Sequence, residues 1–263
     1  MNPSDGQRVG ARAPGEGERL VMRQRWEQLL FLHWEVPAKT LQGRLPAGLY
    51  VDTFQGKAYA GVVPFAMRRV RPCWAFAVPG LSNFLELNVR TYVHDGQGNP
   101  GVWFFSLDAN QPLAVRVARR WFHLNYQDAK MSSCPDADPS RRRVRYRCRR
   151  RGQPEVAEFE YPLAGAGGVM AEPGSLEFFL LERYVLYSCD SRRARLYRGQ
   201  VEHAPYRYSF AADVVSSSVP LRWESLEVDG PPRHVAVAAP VDVRAYALRP
   251  VGERARAGEK PLS

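Results

Sequence analysis

The sequence predicts a mainly β fold with a few helices, an antiparallel barrel or sandwich built as one domain. Three observations carry this expectation. Short runs of period-two alternation, cut by Pro and Gly turns, dominate the 263 residues. Most of these runs read as hairpins, the connection that antiparallel strands use. Only three stretches carry the apolar spacing of a helix. An apolar content of 45%, with 11% aromatic residues, is ample for one sizeable core.

Taken in order, residues 1–20 (MNPSDGQRVGARAPGEGERL) combine Gly, Pro and charge and are expected to form a disordered tail. They lack the apolar segment of a secretory signal. WEQLLFLHW, running into PAKTLQGRLPAG, reads as the first helix. LYVDTFQGKAYAGVVPFAM reads as two strands about a turn at Gln55-Gly56. FLELNVRTYVHDGQGNPGVWFFSLDAN is a stronger hairpin, with a Gly- and Asn-rich loop between two strand-like runs. PLAVRVARRWFHL supplies the second helical pattern. EVAEFEYPL is a strand, and AGAGGVMAEPG lacks the Lys and Ser/Thr of a phosphate loop and reads as a flexible loop. GSLEFFLLERY is the third helix, with Ser175 as N-cap and Glu177 in the first turn. RARLYRGQVEHAPY, YSFAADVV and HVAVAAPVDVRAYAL return to strands. Residues 252–263 read as a flexible tail, which leaves 21–251 as the single domain.

The formal net charge is +10, yet SRRRVRYRCRRRG (residues 140–152) holds eight arginines, and the remainder of the chain carries only +2. Charge so localised is unlike the spread basic surface of nucleic-acid binding, which is the minor reading. Val144, Tyr146 and Cys148 alternate with Arg143, Arg145, Arg147 and Arg149, the pattern of a half-buried strand with a charged outer face. Such charges also discourage edge-to-edge pairing. The four cysteines (Cys73, Cys134, Cys148, Cys189) lie far apart, and the five histidines fall in no metal-ligand spacing, so no metal site is expected. No apolar run approaches the roughly 20 residues of a membrane span. Free thiols and the missing signal point to the cytoplasm.

Candidate functional residues lie on the central hairpin. Alternation along FLELNVRTYV puts Glu86, Asn88, Arg90 and Tyr92 on one strand face, opposite Leu85, Leu87, Val89 and Val93. On the next run Ser106 and Asp108 share parity with Phe104. Such a polar face either meets solvent or lines a closed polar cavity that orients a ligand. His203, in GQVEHAPYRY, follows a strand and precedes a proline turn; it serves either packing or acid–base work. No nucleophile elbow, phosphate loop or dinucleotide fingerprint is present.

Five stretches, LLFLHWEVPAKTLQGRLPAGLYVDTFQGKAYAGVVPFAM, LSNFLELNVRTYV, GVWFFSLDAN, GSLEFFLLERYVLYS and LYRGQVEHAPY, resemble in order the motifs of the YqjF-like bacterial family of unknown function. The resemblance spans about residues 22–250. That family is grouped with the acetoacetate decarboxylase-like superfamily, which implies a mostly antiparallel barrel or cone around a polar cavity. It places Glu86 and Arg90 inward and matches a family strand with Tyr146 and Arg150. True acetoacetate decarboxylases form a Schiff base on one lysine of an adjacent pair. Here Tyr126 and Gln127 stand at the comparable place, and Lys130 has no lysine neighbour, so the resemblance implies that this mechanism is absent and no cofactor is needed. On this reading Arg90 binds a carboxylate or enolate oxygen, Glu86 holds Arg90 or acts as general base, and Tyr126 donates a hydrogen bond or a proton. Asn88, Ser106, Asp108 and His203 complete the ligand-binding candidates. The expected partner is a small anionic, oxo-acid-like metabolite, turned over by a lyase-type enzyme or held by a non-catalytic sensing protein. A homo-oligomer is compatible with the abundance of aromatic strands.

Overall fold

A computed structural model describes residues 2–252 apart from 79, 137, 139–141, 166 and 191–192. The first half of the chain forms α1 (Asp5–Gly10), β1 (Leu20–Glu27), β2 (Leu29–Glu35), α2 (Ala38–Gln42), β3 (Leu49–Val51), β4 (Tyr59–Pro72), β5 (Phe84–Asp95), β6 (Pro100–Ala109) and α3 (Pro112–Trp121). The second half forms β7 (Tyr126–Pro135), β8 (Arg143–Arg150), β9 (Ala157–Pro162), β10 (Val169–Met170), α4 (Leu176–Leu181), β11 (Val185–Asp190) and β12 (Arg195–Glu202). It ends with β13 (Arg207–Phe210), α5 (Val219–Trp223), β14 (His234–Ala238), β15 (Val241–Tyr246) and β16 (Arg249–Pro250). Among the described residues no helix is long and apolar enough to cross a membrane.

Strand pairing closes a ring. The long β4 pairs with β1 and β5, β5 with β6, β6 with β11, β11 with β12, β12 with β15, and β15 again with β1. Only the β6–β11 contact within this ring is parallel. The result is the expected mainly β architecture, an irregular cone rather than a regular barrel. Two arms leave it. One runs from the first half of β4 through β2, β14, β13 and β10. The other leaves the end of β6 through β7, β8 and β9.

Each side of the ring wall has its own core. Inside, Val63, Phe65 and Met67 of β4 meet Leu107 of β6, Val201 of β12 and Val243 of β15, with Phe178 and Leu181 of α4 packed among them. Outside, Leu85, Leu87 and Val89 of β5 pack on Val144, Tyr146 and Cys148 of β8 and on Phe159 and Tyr161 of β9. Strand β5 is therefore covered on both faces, and all twelve of its residues are buried. The arginine stretch behaves as its alternation predicts. Val144, Tyr146 and Cys148 are buried while Arg145, Arg147 and Arg149 are exposed. Arg147 meets Glu158 at 2.7 Å and Arg145 meets Glu160 at 3.5 Å across β9. Residues 140 and 141 of that stretch lie outside the described residues.

Two helical expectations hold: PLAVRVARRW forms α3, and Ser175 caps α4 by accepting the Phe178 N–H at 3.1 Å. The third does not. WEQLLFLHW is strand, broken between β1 and β2 at Gln28, whose φ is 55°. Because β2 lies between β4 and β14 with a core on each face, its apolar residues run continuously and imitate a buried helix. Only the following PAKTLQ region is helical, as α2. The turn at Gln55-Gly56 is present, both residues having positive φ as a type I′ turn requires. Beyond it β3 pairs with β5 instead of β4.

The expected disordered tail is also corrected. Ser4 and Gln7 form a reciprocal capping box at α1. Arg8 of that helix is buried against the fully buried Asp52, with the second contact of the fork at 2.8 Å, and Arg12 reaches Glu182 at 3.4 Å. Two arginines with buried carboxylates to satisfy tie down a segment whose composition alone would leave it loose. The expectation for the C-terminal tail falls on residues 253–263, outside those described.

Candidate functional site

Cross-strand register determines what each inward residue of β5 meets. Glu86 lies between Phe65 and Ala109, Asn88 between Val63 and Leu107, and Arg90 between Gly61 and Phe104. These three and Tyr92 share the interior face, as their alternation predicts, and all four are buried. On β6 the expectation fails. A register shift between Val89 and Arg90 sets Ser106 opposite Val89 and Asp108 opposite Leu87. A bulge reverses parity, so Ser106 and Asp108 leave the face of Phe104 and point outward, away from Glu86. There they serve structure. Arg150 meets Asp108 through two contacts at 2.7 and 2.8 Å, donates to Ser106 Oγ at 2.6 Å, and meets Glu224 at 2.6 Å. This fork fastens β8 to β6.

The Glu86 carboxyl accepts a hydrogen bond from the Tyr126 hydroxyl at 2.7 Å. Burial raises Glu86 to about 7, against the lowering effect of its hydrogen bonds with Tyr126 and Asn88. Burial, with the Glu86 charge beside it, pushes Tyr126 well above the ordinary tyrosine range. A carboxyl that exchanges its proton near neutrality, held by a tyrosine that keeps its own, is suited to general-base work. Lys130, further along β7, is exposed.

Among the described residues Arg90 has no carboxylate partner. One Nη donates to the carbonyl of Leu180 at 3.2 Å, the guanidinium stacks over Phe31 and Tyr92 at 5.4 and 5.6 Å, and its buried Nε has no partner. The idea that Glu86 holds Arg90 is thus corrected: Glu86 is engaged by Tyr126, two rows of side chains from Arg90 with Asn88 between them. Gly61 makes the room, since a Cβ there would sit 3.1 Å from His33 Cδ2 and 3.4 Å from Arg90 Cγ.

His203 also faces this interior, stacked on Tyr184 at 4.6 Å and tilted against Tyr206 at 4.5 Å. Burial lowers it to about 4, with a further push from the charges of Arg12 and Arg90. Its Nδ1–H donates to the carbonyl of Ala204 at 2.8 Å, so Nε2 carries the lone pair, and that buried atom has no partner. Trp26 Nε1 and Asn88 Oδ1, both buried, are also without partners. Rings connect these groups: Trp26 touches His203, His203 touches Tyr206, Tyr206 touches Phe31, and Phe31 lies under Arg90.

Two functional candidates had escaped the sequence reading. His234 and His33 face each other on β14 and β2, with Nδ1 atoms 2.9 Å apart, and His33 Nε2 lies 2.6 Å from the Tyr92 hydroxyl. Tyr92 spends its proton on the carbonyl of Leu180 at 2.8 Å, so it must accept from His33 Nε2–H. His33 Nδ1 then accepts from His234 Nδ1–H. Burial holds both imidazoles neutral, His33 well below its ordinary value and His234 at about 4. His234 Nε2 ends the chain as a buried acceptor without a partner. Reading residues 29–35 as a strand would have put Phe31 and His33 on one face.

Residues 23–242 match the model of DUF2071, described as an uncharacterized conserved protein. The uncharacterized protein YqjF of Bacillus subtilis (strain 168) is 38% identical over 186 residues, covering 71% of this chain and 74% of its own. Among solved structures, the enduracididine biosynthesis enzyme MppR with HEPES buffer bound superposes with a TM-score of 0.61 at 14% identity, over 90% of this chain and 91% of that one. An acetoacetate decarboxylase-like enzyme from Sphingomonas wittichii RW1 has a TM-score of 0.61 at 12% identity, over 88% and 92%. At such identities these two likenesses establish the fold alone.

Proposed function

Since the chain belongs to the DUF2071 family of uncharacterized conserved proteins, we propose that the interior of the cone binds a small anionic, oxo-acid-like metabolite and acts on it by lyase-type chemistry without a Schiff base. The observation that carries this is Arg90, a buried guanidinium with an unpartnered Nε and, among the described residues, no carboxylate within ion-pairing reach. An unpaired buried charge is costly, and an anionic ligand would offset that cost. Arg90 then takes the ligand's carboxylate or enolate oxygen in its fork. Glu86 removes a proton, with Tyr126 holding the carboxylate, and His203 Nε2 accepts a hydrogen bond from the bound molecule. Asn88 Oδ1 offers a second acceptor beside Glu86. The four unpaired cysteines support a reducing, cytoplasmic setting.

A non-catalytic sensing or storage protein using the same interior residues is the second reading. The position of Glu86 near 7 favours chemistry over storage. Incubating the protein with a panel of 2-oxo and 3-oxo acids, followed by proton NMR, separates the two. Arg90→Met is expected to weaken binding about tenfold or more, and Glu86→Gln to abolish turnover while binding persists. Saturable binding without turnover in the unsubstituted protein assigns a sensor. Unchanged binding of every acid in both variants would overturn the site itself.

A further inference from the structure

The outer face of the ring carries a second polar feature. Register sets Arg71 of β4 directly opposite Arg23 of β1, and Arg23 directly opposite Arg244 of β15. Like charges facing each other across three strands destabilise a sheet. Beside this row β4 shifts register against β1 between Arg23 and Arg25, and Arg69 sits in the shift with a φ of 53°. A left-handed arginine is strained, and a bulge of this kind re-aims a side chain. Arg69, Arg71, Arg23 and Arg244 all line an open groove of about 610 Å³.

The acidic residues of the groove are already engaged. Asp242 meets Arg25 at 3.1 Å and Glu202 meets Arg244 at 3.4 Å. Arg71 donates only to the carbonyl of Ala75, and the guanidinia of Arg23 and Arg69 have no partner among the described residues. Three positive charges therefore line the groove without a carboxylate partner among the described residues, each at a structural cost. His203, of inward parity, also belongs to the lining, because β12 parts from β15 after the Glu202–Arg244 pair.

We propose that this groove is an anion-binding site for a ligand bearing a phosphate-class group of two or more negative charges. Guanidinium forks match phosphate oxygens bidentately, and two or more forks on adjacent strands suit a group with several acceptor oxygens. The site goes beyond the interior reading: it shares His203 of the lining with that reading and uses none of Glu86, Arg90 and Tyr126.

Calorimetric titration with sodium pyrophosphate, at ionic strength matched with NaCl, tests it. The unsubstituted protein is expected to bind saturably, and Arg23→Gln/Arg69→Gln to lose about tenfold or more in affinity. Arg145→Gln/Arg149→Gln on β8 removes the same charge elsewhere and is expected to leave binding unchanged. The groove variant is also expected to melt no lower than the parent, because it relieves the facing charges. Equal weakening in both variants would reduce the effect to bulk charge and overturn the proposal. So would an absence of saturation at millimolar pyrophosphate, or a single-stranded oligonucleotide binding far more tightly and losing affinity equally in both variants.

Discussion

At the scale of single residues, burial decides what Glu86 and the histidines can do. The Glu86 carboxyl sits at about 7 against an ordinary 4.5, so the folded state holds its proton longer than the unfolded chain. Its stabilising contribution is complete below about pH 4.5 and is lost as pH rises through 7. Glu86→Gln is therefore expected to gain stability relative to the parent between pH 5 and 8, by on the order of 3 kcal/mol, in denaturant melts at stepped pH. His33 links Tyr92 to His234. Replacing it by Phe leaves the His234 Nδ1–H buried and unpaired, and is expected to cost about 1–3 kcal/mol in the same melts. Part of this was legible beforehand. Alternation in FLELNVRTYV placed Glu86, Asn88 and Arg90 together, because strand parity is a local property. The partner of Tyr126 and the isolation of Arg90 were not legible, since both depend on which distant strand lies alongside.

Among the elements, β5 shows why patterning succeeded on one strand and failed on its neighbour. A polar face ordinarily signals solvent, but here the second arm covers the outside and the ring encloses the inside. On β6 the bulge at Phe105 inverted the positions of Ser106 and Asp108, and no residue type announces it. Helix and strand were confused in LLFLHW for a related reason: a strand buried on both faces loses its period. Close backbone approach gives a sharper test of these contacts. A Cβ at Gly101 would lie 2.7 Å from Tyr187 and 2.8 Å from the carbonyl of Val185, at the parallel β6–β11 junction. Gly101→Ala is expected to cost about 3 kcal/mol or more, whereas Gly61→Ala meets only side chains and is expected to cost about 1–2 kcal/mol while displacing Arg90. Thermal melts of the two variants, with oxo-acid binding measured on the second, check the contrast.

For the whole molecule, three neutral buried histidines set the acid limit. His203 and His234 lie at about 4 in the fold against 6.5 when unfolded, and His33 is lowered as well. The unfolded chain binds more protons in that window, so stability present above pH 6.5 is lost as pH falls toward 4. His203 and His234 each contribute on the order of 3 kcal/mol to that loss, and His33 adds to it in the same direction, which an acid titration followed by circular dichroism would register. The N-terminal arm adds a second global constraint, since Arg8 closes the buried pair with Asp52. Arg8→Met is expected to lower the unfolding free energy by about 3–5 kcal/mol, despite lying in a segment whose composition reads as disordered. The ring has a consequence for how the protein is made. Its seam joins β1, residues 20–27, to β15, residues 241–246, so closure must wait until β15 has left the ribosome. Until then one margin of β1 stands unpaired. The arginines at 23 and 25, the first a burden to the finished sheet, place charge along that margin, which disfavours its pairing with other nascent chains.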